Sequence, residues 1–321
     1  MKYLFTIGFI LTQFLPLISG TRYLEKNEII HNNNNNNNNR IDSLLQILDT
    51  ATDSYVMVVA HRGDWTNAPE NSLQAIKNAI KIGVDILEID VRFTKDKVPV
   101  VIHDKTLDRT TTGSGKVSSF TLNDLNKIFL TDRNGKATSH KVPTLEEALL
   151  LSKGKILINL DKCTMHLNRI VEYLKKTNTQ NQVIIKKLKD FYKTRLHKKC
   201  LKRDLIYIPN IRKHNRRVKH LSQKYIKANI PLAFSMTITK TDSSLLPCVK
   251  QIKDKSCRIW INANKIENVN NHKHLAKNPS AETKWDWALK FGANIILTDE
   301  PALLIDYLEG KGLRKRKVHG I

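Results

Sequence analysis

The stretch Val56-Met57-Val58-Val59-Ala60-His61-Arg62-Gly63, then Pro69-Glu70-Asn71-Ser72, then Ile86-Leu87-Glu88-Ile89-Asp90-Val91, decides the reading of this chain. An apolar run too short for a helix ends on a histidine. An amphipathic segment opens at a proline, and a second apolar run ends on two carboxylates. Short apolar runs bounded by turn signals read as buried strands, and amphipathic segments between them read as crossover helices.

The same alternation continues outward. Strands are expected at 56–60, 86–91, 156–161, 182–186, 205–208, 232–235, 258–261 and 294–297. Helices are expected at 69–82, 145–151, 166–176, 188–198, 213–227, 242–252, 281–291 and 301–308. Strands that alternate with helices imply a parallel sheet with right-handed crossovers. Eight such units between residues 55 and 310 predict an α/β fold, a (β/α)8 TIM barrel. The other arrangement, an open doubly wound sheet, has no GxGxxG fingerprint behind it. The interval from Val91 to Pro143 is too long for a simple turn and predicts a small insertion after the second strand. It begins as a hairpin (92–93 against 98–102, turning at Lys95-Asp96).

Outside the barrel, residues 1–20 read as a secretory signal peptide, with Lys2 before the apolar run Tyr3 to Leu17 and Gly20 near a cut. That places the mature chain in a secreted, periplasmic or extracellular setting. Residues 21–54 read as a disordered linker around the tract Asn32 to Asn39, which offers no apolar face to bury. Residues 311–321 read as a basic, frayed tail. Cys163, Cys200, Cys248 and Cys257 match no zinc spacing; in an oxidising space they allow one or two disulfides.

The formal net charge is +24. A basic surface attracts anionic partners, an anionic lipid or polymer surface among them. The basic residues form no recognisable nucleic-acid reader motif and are not interleaved with aromatics, so the sequence does not point to nucleic acid as a partner. The sequence leaves the oligomeric state undetermined.

Barrels carry their chemistry at the C-terminal ends of strands. His61 ends the first. Glu88 and Asp90 end the second, two residues apart and therefore on one face. Inward carboxylates at a barrel mouth repel one another unless a cation neutralises them. Ligands that are all oxygen point to a hard divalent ion, Mg²⁺ or Ca²⁺. Asp161, ending the third strand, supplies a third carboxylate. His103 closes the hairpin, and two histidines flanking an acidic pair suit general acid–base work. Arg62 offers a planar fork for phosphate oxygens.

The string His61-Arg62-Gly63, Pro69-Glu70-Asn71-Ser72, Glu88-Ile89-Asp90, His103-Asp104 and Arg109-Thr110-Thr111-Thr112-Gly113 resembles the glycerophosphodiester phosphodiesterases. Pro143-Thr144-Leu145-Glu146-Glu147, Trp260 and Thr298-Asp299-Glu300-Pro301 extend the resemblance from about Val58 to Leu308. It implies a TIM barrel with one divalent cation on Glu88, Asp90 and Asp161, and His61 and His103 as the acid/base pair. It further implies Arg62 on the phosphate, Glu70 near the site orienting His61 or the ion, and Trp260 packed against the substrate. The implied reaction splits a small glycerophosphodiester into glycerol 3-phosphate and an alcohol such as choline or ethanolamine.

One departure stands out. The family commonly has Glu-x-Lys at the third strand, where this chain has Asp161-Lys162-Cys163. Strict alternation turns Lys162 away from the mouth. Two further readings keep the barrel: the same site acting on an intact phospholipid or a wall polymer, and a noncatalytic anion-binding barrel.

Overall fold

The computed structural model describes residues 40–187, 200, 203–212, 231–237, 246–266 and 283–315. The chain opens with α1 (Arg40–Asp49), β1 (Met57–His61) and α2 (Leu73–Lys81). It continues through β2 (Ile86–Phe93), β3 (Pro99–Val101), α3 (Leu122–Leu125), α4 (Leu145–Ser152), β4 (Leu157–Asp161) and α5 (Leu167–Thr177). Next come β5 (Val183–Lys187), β6 (Ile206–Arg212), β7 (Ala233–Thr237), α6 (Leu246–Lys253) and β8 (Arg258–Asn262). The described elements end with α7 (Lys284–Lys290), β9 (Ile295–Thr298) and α8 (Pro301–Gly310).

Eight strands pair in parallel in the order β1-β2-β4-β5-β6-β7-β8-β9. The pairing of β9 back onto β1, Met57 opposite Ile295, closes the ring. This is the expected (β/α)8 barrel, with a strand found at each of the eight predicted places. β3 stands outside the ring and pairs antiparallel with the end of β2, so the predicted hairpin forms. The insertion beyond it has its own small core of Ile102, Leu107, Val117, Leu125, Leu130 and Val142.

Strand alternation divides the apolar side chains into two layers. Val58, Ala60, Leu87, Ile89, Ile158, Leu160, Val183 and Ile185 face outward onto the helices. Met57, Val59, Ile86, Leu157, Ile184, Ile206, Ile295 and Leu297 fill the barrel interior. The interior layer stops one residue pair below the strand ends, so polar side chains take over at the mouth.

The bottom of the barrel is closed by α1, which corrects the expected disordered linker over 40–49. Ile41, Leu44, Leu45 and Leu48 recur at helical spacing and pack into the interior layer. Burying four such side chains contributes roughly 1.5–3 kcal/mol each. Arg258, fully buried at the start of β8, donates to the carbonyls of Ile47 (2.6 Å) and Thr50 (2.9 Å). It thereby satisfies carbonyls that a helix C-terminus leaves without partners. The linker reading missed this because the asparagine tract masked a four-residue apolar stripe just beyond it.

The start of the expected tail is also ordered. Arg314 is buried and donates to Asp85 Oδ1 (3.1 Å) and to the Gly83 carbonyl (2.8 Å), while Tyr55 donates to the same carboxylate (3.0 Å). The four cysteines are separate buried thiols rather than disulfide partners, each within the layer between barrel and helices. The expected helices over 188–198 and 213–227, the signal over 1–20, the linker over 21–39 and the tail over 316–321 lie outside the described residues. Among the described residues, no helix is long and apolar enough to cross a membrane.

Helix boundaries follow capping chemistry. The expected helix at 69–82 begins at Leu73 because Ser72 caps it, accepting from the Ala75 amide (3.0 Å). Pro69 to Asn71 remain a loop, with Asn71 left-handed (φ 60°). Thr144 and Thr283 open α4 and α7 with full capping boxes to Glu147 and Asp286.

Candidate active site

Register gathers the carboxylates. Glu88 pairs with Asn159, and Asp90 with Asp161, across the β2–β4 seam, while His61 pairs with Glu88 across the β1–β2 seam. One oxygen each from Glu88, Asp90 and Asp161 lie within 4.8 Å of one another. Glu88 and Asp90 are buried and Asp161 is exposed. Burial, then the charge of Asp90, pushes the Glu88 carboxyl up to about 7. Asp90 is also penalised by burial, yet the ammonium of Lys162 outweighs this and holds it below the usual carboxylate range.

Lys162 reaches the mouth because the chain leaves strand geometry there. Its φ of 59° is left-handed, and the turn swings the side chain inward. The ammonium pairs closely with Asp90 Oδ1 and lies 3.7 Å from Asp161 Oδ2. Arg62, the residue after β1, is left-handed as well (φ 62°). Its amide donates to Glu88 Oε2 (3.1 Å), and its guanidinium lies 3.6 Å from Asp90. Gly63 follows at φ 86°, where a Cβ would lie 2.8 Å from the Ala75 carbonyl carbon, so the turn and the docking of α2 both require glycine.

A second lysine, Lys186, comes from the end of β5. It shares the inward face with Ile184, and its ammonium lies over the Trp260 ring, 4.0 Å from the centroid. Burial lowers it to about 8, against the opposing pull of Glu88 and Asp161. The sequence reading did not single out Lys186. Period-two alternation from Ile184 was the available signal.

Each histidine is backed by a carboxylate at Nδ1. His61 Nδ1 lies 2.6 Å from Asp299 Oδ1, and Asn264 Nδ2 approaches the same nitrogen at 3.3 Å. His103 Nδ1 pairs with Asp104. Among the described residues, no hydrogen bond engages either Nε2 atom, which leaves these atoms to meet a ligand. Burial opposes protonation of His61, but the Asp299 hydrogen bond and the Glu88 and Asp299 charges outweigh it and raise its pKa. For His103 burial prevails over the Asp104 hydrogen bond, and the pKa is lowered. Asp104 is shared with Arg109 (2.7 Å), whose hydrogen bond is the main cause that holds its carboxyl well below the usual range. Asp299, Asn264 and Lys186 are site residues that sequence reasoning left without a role.

The structure brings His61, Arg62, Glu70, Glu88, Asp90, His103 and Asp161 to one mouth, with two corrections of role. Glu70 does not orient His61. Its oxygens accept from Arg62 Nη1 (2.8 Å) and from Arg109 Nη1 (2.9 Å) and Nη2 (2.8 Å). It is the buried anchor of two guanidiniums. Trp260 does not line the open mouth. It is fully buried in the interior layer, two residues before the end of β8 and opposite Ile295. It acts as the floor under Lys186.

A closed α/β barrel with a carboxylate cluster and two Asp-backed imidazoles at its C-terminal mouth falls among the barrels that carry an acid–base site at their strand ends. Residues 61–303 match the glycerophosphoryl diester phosphodiesterase family, and the chain belongs to that family. It is 39% identical over 137 residues to a glycerophosphodiester phosphodiesterase of Caldanaerobacter subterraneus subsp. tengcongensis, covering 40% of this chain and 56% of that protein. It is 35% identical over 130 residues to human glycerophosphodiester phosphodiesterase 1, covering 38% of each. The match therefore spans between about two fifths and somewhat over half of these relatives. A glycerophosphoryl diester phosphodiesterase from Parabacteroides distasonis superposes with a TM-score of 0.70 at 24% identity, covering 84% of this chain and 92% of that one. An Oleispira antarctica phosphodiesterase in complex with the product sn-glycerol-3-phosphate superposes with a TM-score of 0.57 at 21% identity, covering 79% and 96%. At these identities the structural likeness is one of fold.

Proposed function

We propose that this chain hydrolyses glycerophosphodiesters to glycerol 3-phosphate and an alcohol. The observation that carries the reading is the pair of Asp-backed histidines, His61 and His103, flanking the Glu88, Asp90 and Asp161 cluster on a barrel of this family. The product named for the Oleispira structure supports the substrate class.

The residues divide the work as follows. Arg62, held by Glu70, and Lys186 face the phosphoryl oxygens and neutralise charge as it builds. One imidazole takes a proton at Nε2 from the attacking hydroxyl, which belongs to water, or to the neighbouring glycerol hydroxyl in a first step whose cyclic phosphate a water then opens to glycerol 3-phosphate. The new P–O bond forms, the P–O bond to the alcohol breaks, and the other imidazole returns a proton to the departing oxygen. Asp299 and Asp104 hold the rings in the tautomer this requires.

The acidic cluster suits a hard divalent ion. Its three donors are oxygens within 4.8 Å of one another, and burying Glu88 beside Asp90 disfavours both charges without a cation nearby. Glu88, Asp90 and Asp161 would hold Mg²⁺ or Ca²⁺, and the ion would supply Lewis-acid neutralisation of phosphoryl charge. Asp90 Oδ1 is the oxygen that Lys162 occupies.

Export is part of the proposal, supported by the apolar run from Tyr3 to Leu17 behind Lys2. Sequencing the N-terminus of the protein recovered from outside its host cell tests it, and a retained Met1 would count against cleavage. The activity is tested with glycerophosphocholine and glycerophosphoethanolamine under added Mg²⁺ or Ca²⁺. Release of glycerol 3-phosphate that disappears in a folded His61→Ala variant is expected. No release from either substrate would overturn the reading.

A further inference from the structure

Beside the site, on its β2 and β4 flank, lies a cavity of about 580 Å³. Its apolar lining is Val91, Phe93 and Val117 inside and Met165 at the exposed edge. Met165 is 88% exposed, an unusual position for a large apolar side chain. Phe93 is backed by His166, with ring centroids 4.6 Å apart. The walls are cationic, made by Arg92, Lys97, Lys105, Lys116 and Lys162, and among the described residues no carboxylate lines the cavity.

Two walls tie the cavity to the chemistry. Lys162 lines it while its ammonium holds Asp90. Arg92 donates twice to the His103 carbonyl (3.1 and 2.8 Å), a neutral acceptor that leaves its charge uncompensated. Lys97, Lys105 and Lys116 have no carboxylate partner among the described residues. Four uncompensated cations around one opening repel one another, and the arrangement is relieved by an anion. A choline or ethanolamine cation would meet only like charge there.

We propose that this cavity receives the alcohol portion of the substrate, and that the alcohol carries a second phosphate. The inference rests on the phosphodiesterase reading and names the substrate class of that site. The apolar lining packs the carbon skeleton, and the lysines hold the second phosphate by charge-assisted hydrogen bonds.

The test compares three diesters: glycerophosphocholine, glycerophosphoinositol 4-phosphate and bis(glycerophospho)glycerol. The second and third separate a phosphorylated headgroup from a polymer fragment as the source of the second phosphate. Each is measured by turnover and by calorimetric binding, in the parent chain and in the double variant Lys97→Gln/Lys116→Gln. At least one two-phosphate diester should exceed glycerophosphocholine in kcat/KM and in affinity by about tenfold. The double variant should remove that advantage through KM and leave glycerophosphocholine within about twofold of the parent. Equal or better use of glycerophosphocholine would overturn the proposal. So would an unchanged double variant. Tight two-phosphate binding that depends on the lysines, with no glycerol 3-phosphate from any diester, would instead remove the hydrolase reading and leave the cavity assigned.

Discussion

The ammonium of Lys186 lies 4.0 Å from the centroid of the Trp260 ring, one layer below the strand ends. A cation over an indole face is stabilised by the ring's quadrupole, and the contact aims the lysine up toward the carboxylates. It supplies from β5 a positive charge that the expected position on β4, occupied by Cys163, lacks.

Replacing that lysine should therefore separate activity from stability. Lys186→Met is expected to lower kcat for glycerophosphocholine by about a hundredfold, the size of losing one charge stabiliser of the transition state. Its urea midpoint should hold or rise, because burial already lowers the lysine to about 8 and opposes its charged form. Matched kinetics and urea titrations check both halves.

Asp299 is expected to matter through His61 alone. Asp299→Asn leaves a hydrogen-bonding group of the same shape but favours the wrong imidazole tautomer. A loss of about a hundredfold or more in kcat, with little change in KM, is expected. A parallel rise in KM would mean that the carboxylate touches substrate instead.

Lys162 occupies an oxygen of the acidic cluster. Lys162→Gln should tighten binding of Mg²⁺ or Ca²⁺ by about tenfold, as removal of one adjacent positive charge implies. Calorimetric titration of the metal against both proteins reads this directly. Weaker binding in the variant would show that the lysine helps to shape the site.

The helix at the bottom of the barrel should be part of the folding unit. Leu48 is fully buried, and Leu48→Ala is expected to cost about 3 kcal/mol in chemical denaturation. Activity per folded molecule should be unchanged, since the side chain lies at the end of the barrel opposite the mouth.

Acid stability should depend in part on Asp286. Burial works against its carboxylate, but hydrogen bonds from Thr283 and Tyr307 prevail and lower it to about 2. The stabilisation is thus complete above the unfolded value near 4 and lost as pH falls toward about 2. The group keeps some solvent contact, so screening reduces the effect to roughly 1 kcal/mol. Asp286→Asn should lower stability by that amount at pH 6 and by almost nothing at pH 2, as read by thermal melts across the range.

The barrel and most of its mouth were legible because strand alternation and strand-end chemistry are local. His61, Glu88, Asp90 and Asp161 could be placed by counting in twos. Lys162 escaped that rule because a single left-handed residue broke the alternation. Glu70 and Trp260 were assigned by likeness, and their partners Arg109 and Lys186 come from other segments, whose approach no local pattern encodes. The helix at 40–49 was hidden by the polar tract before it. Asp299 stood in a recognisable turn, but its pairing with His61 appears only when β9 meets β1.

That last meeting has a consequence for biosynthesis. His61 and Asp299 are separated by 238 positions, and their contact forms across the strand pair that completes the ring. A nascent chain emerging from the ribosome thus carries both imidazoles and all three clustered carboxylates long before it has Asp299. Until the final strand docks, His61 lacks the carboxylate that aligns it, so the proposed acid–base pair is completed by ring closure rather than by the signature residues themselves.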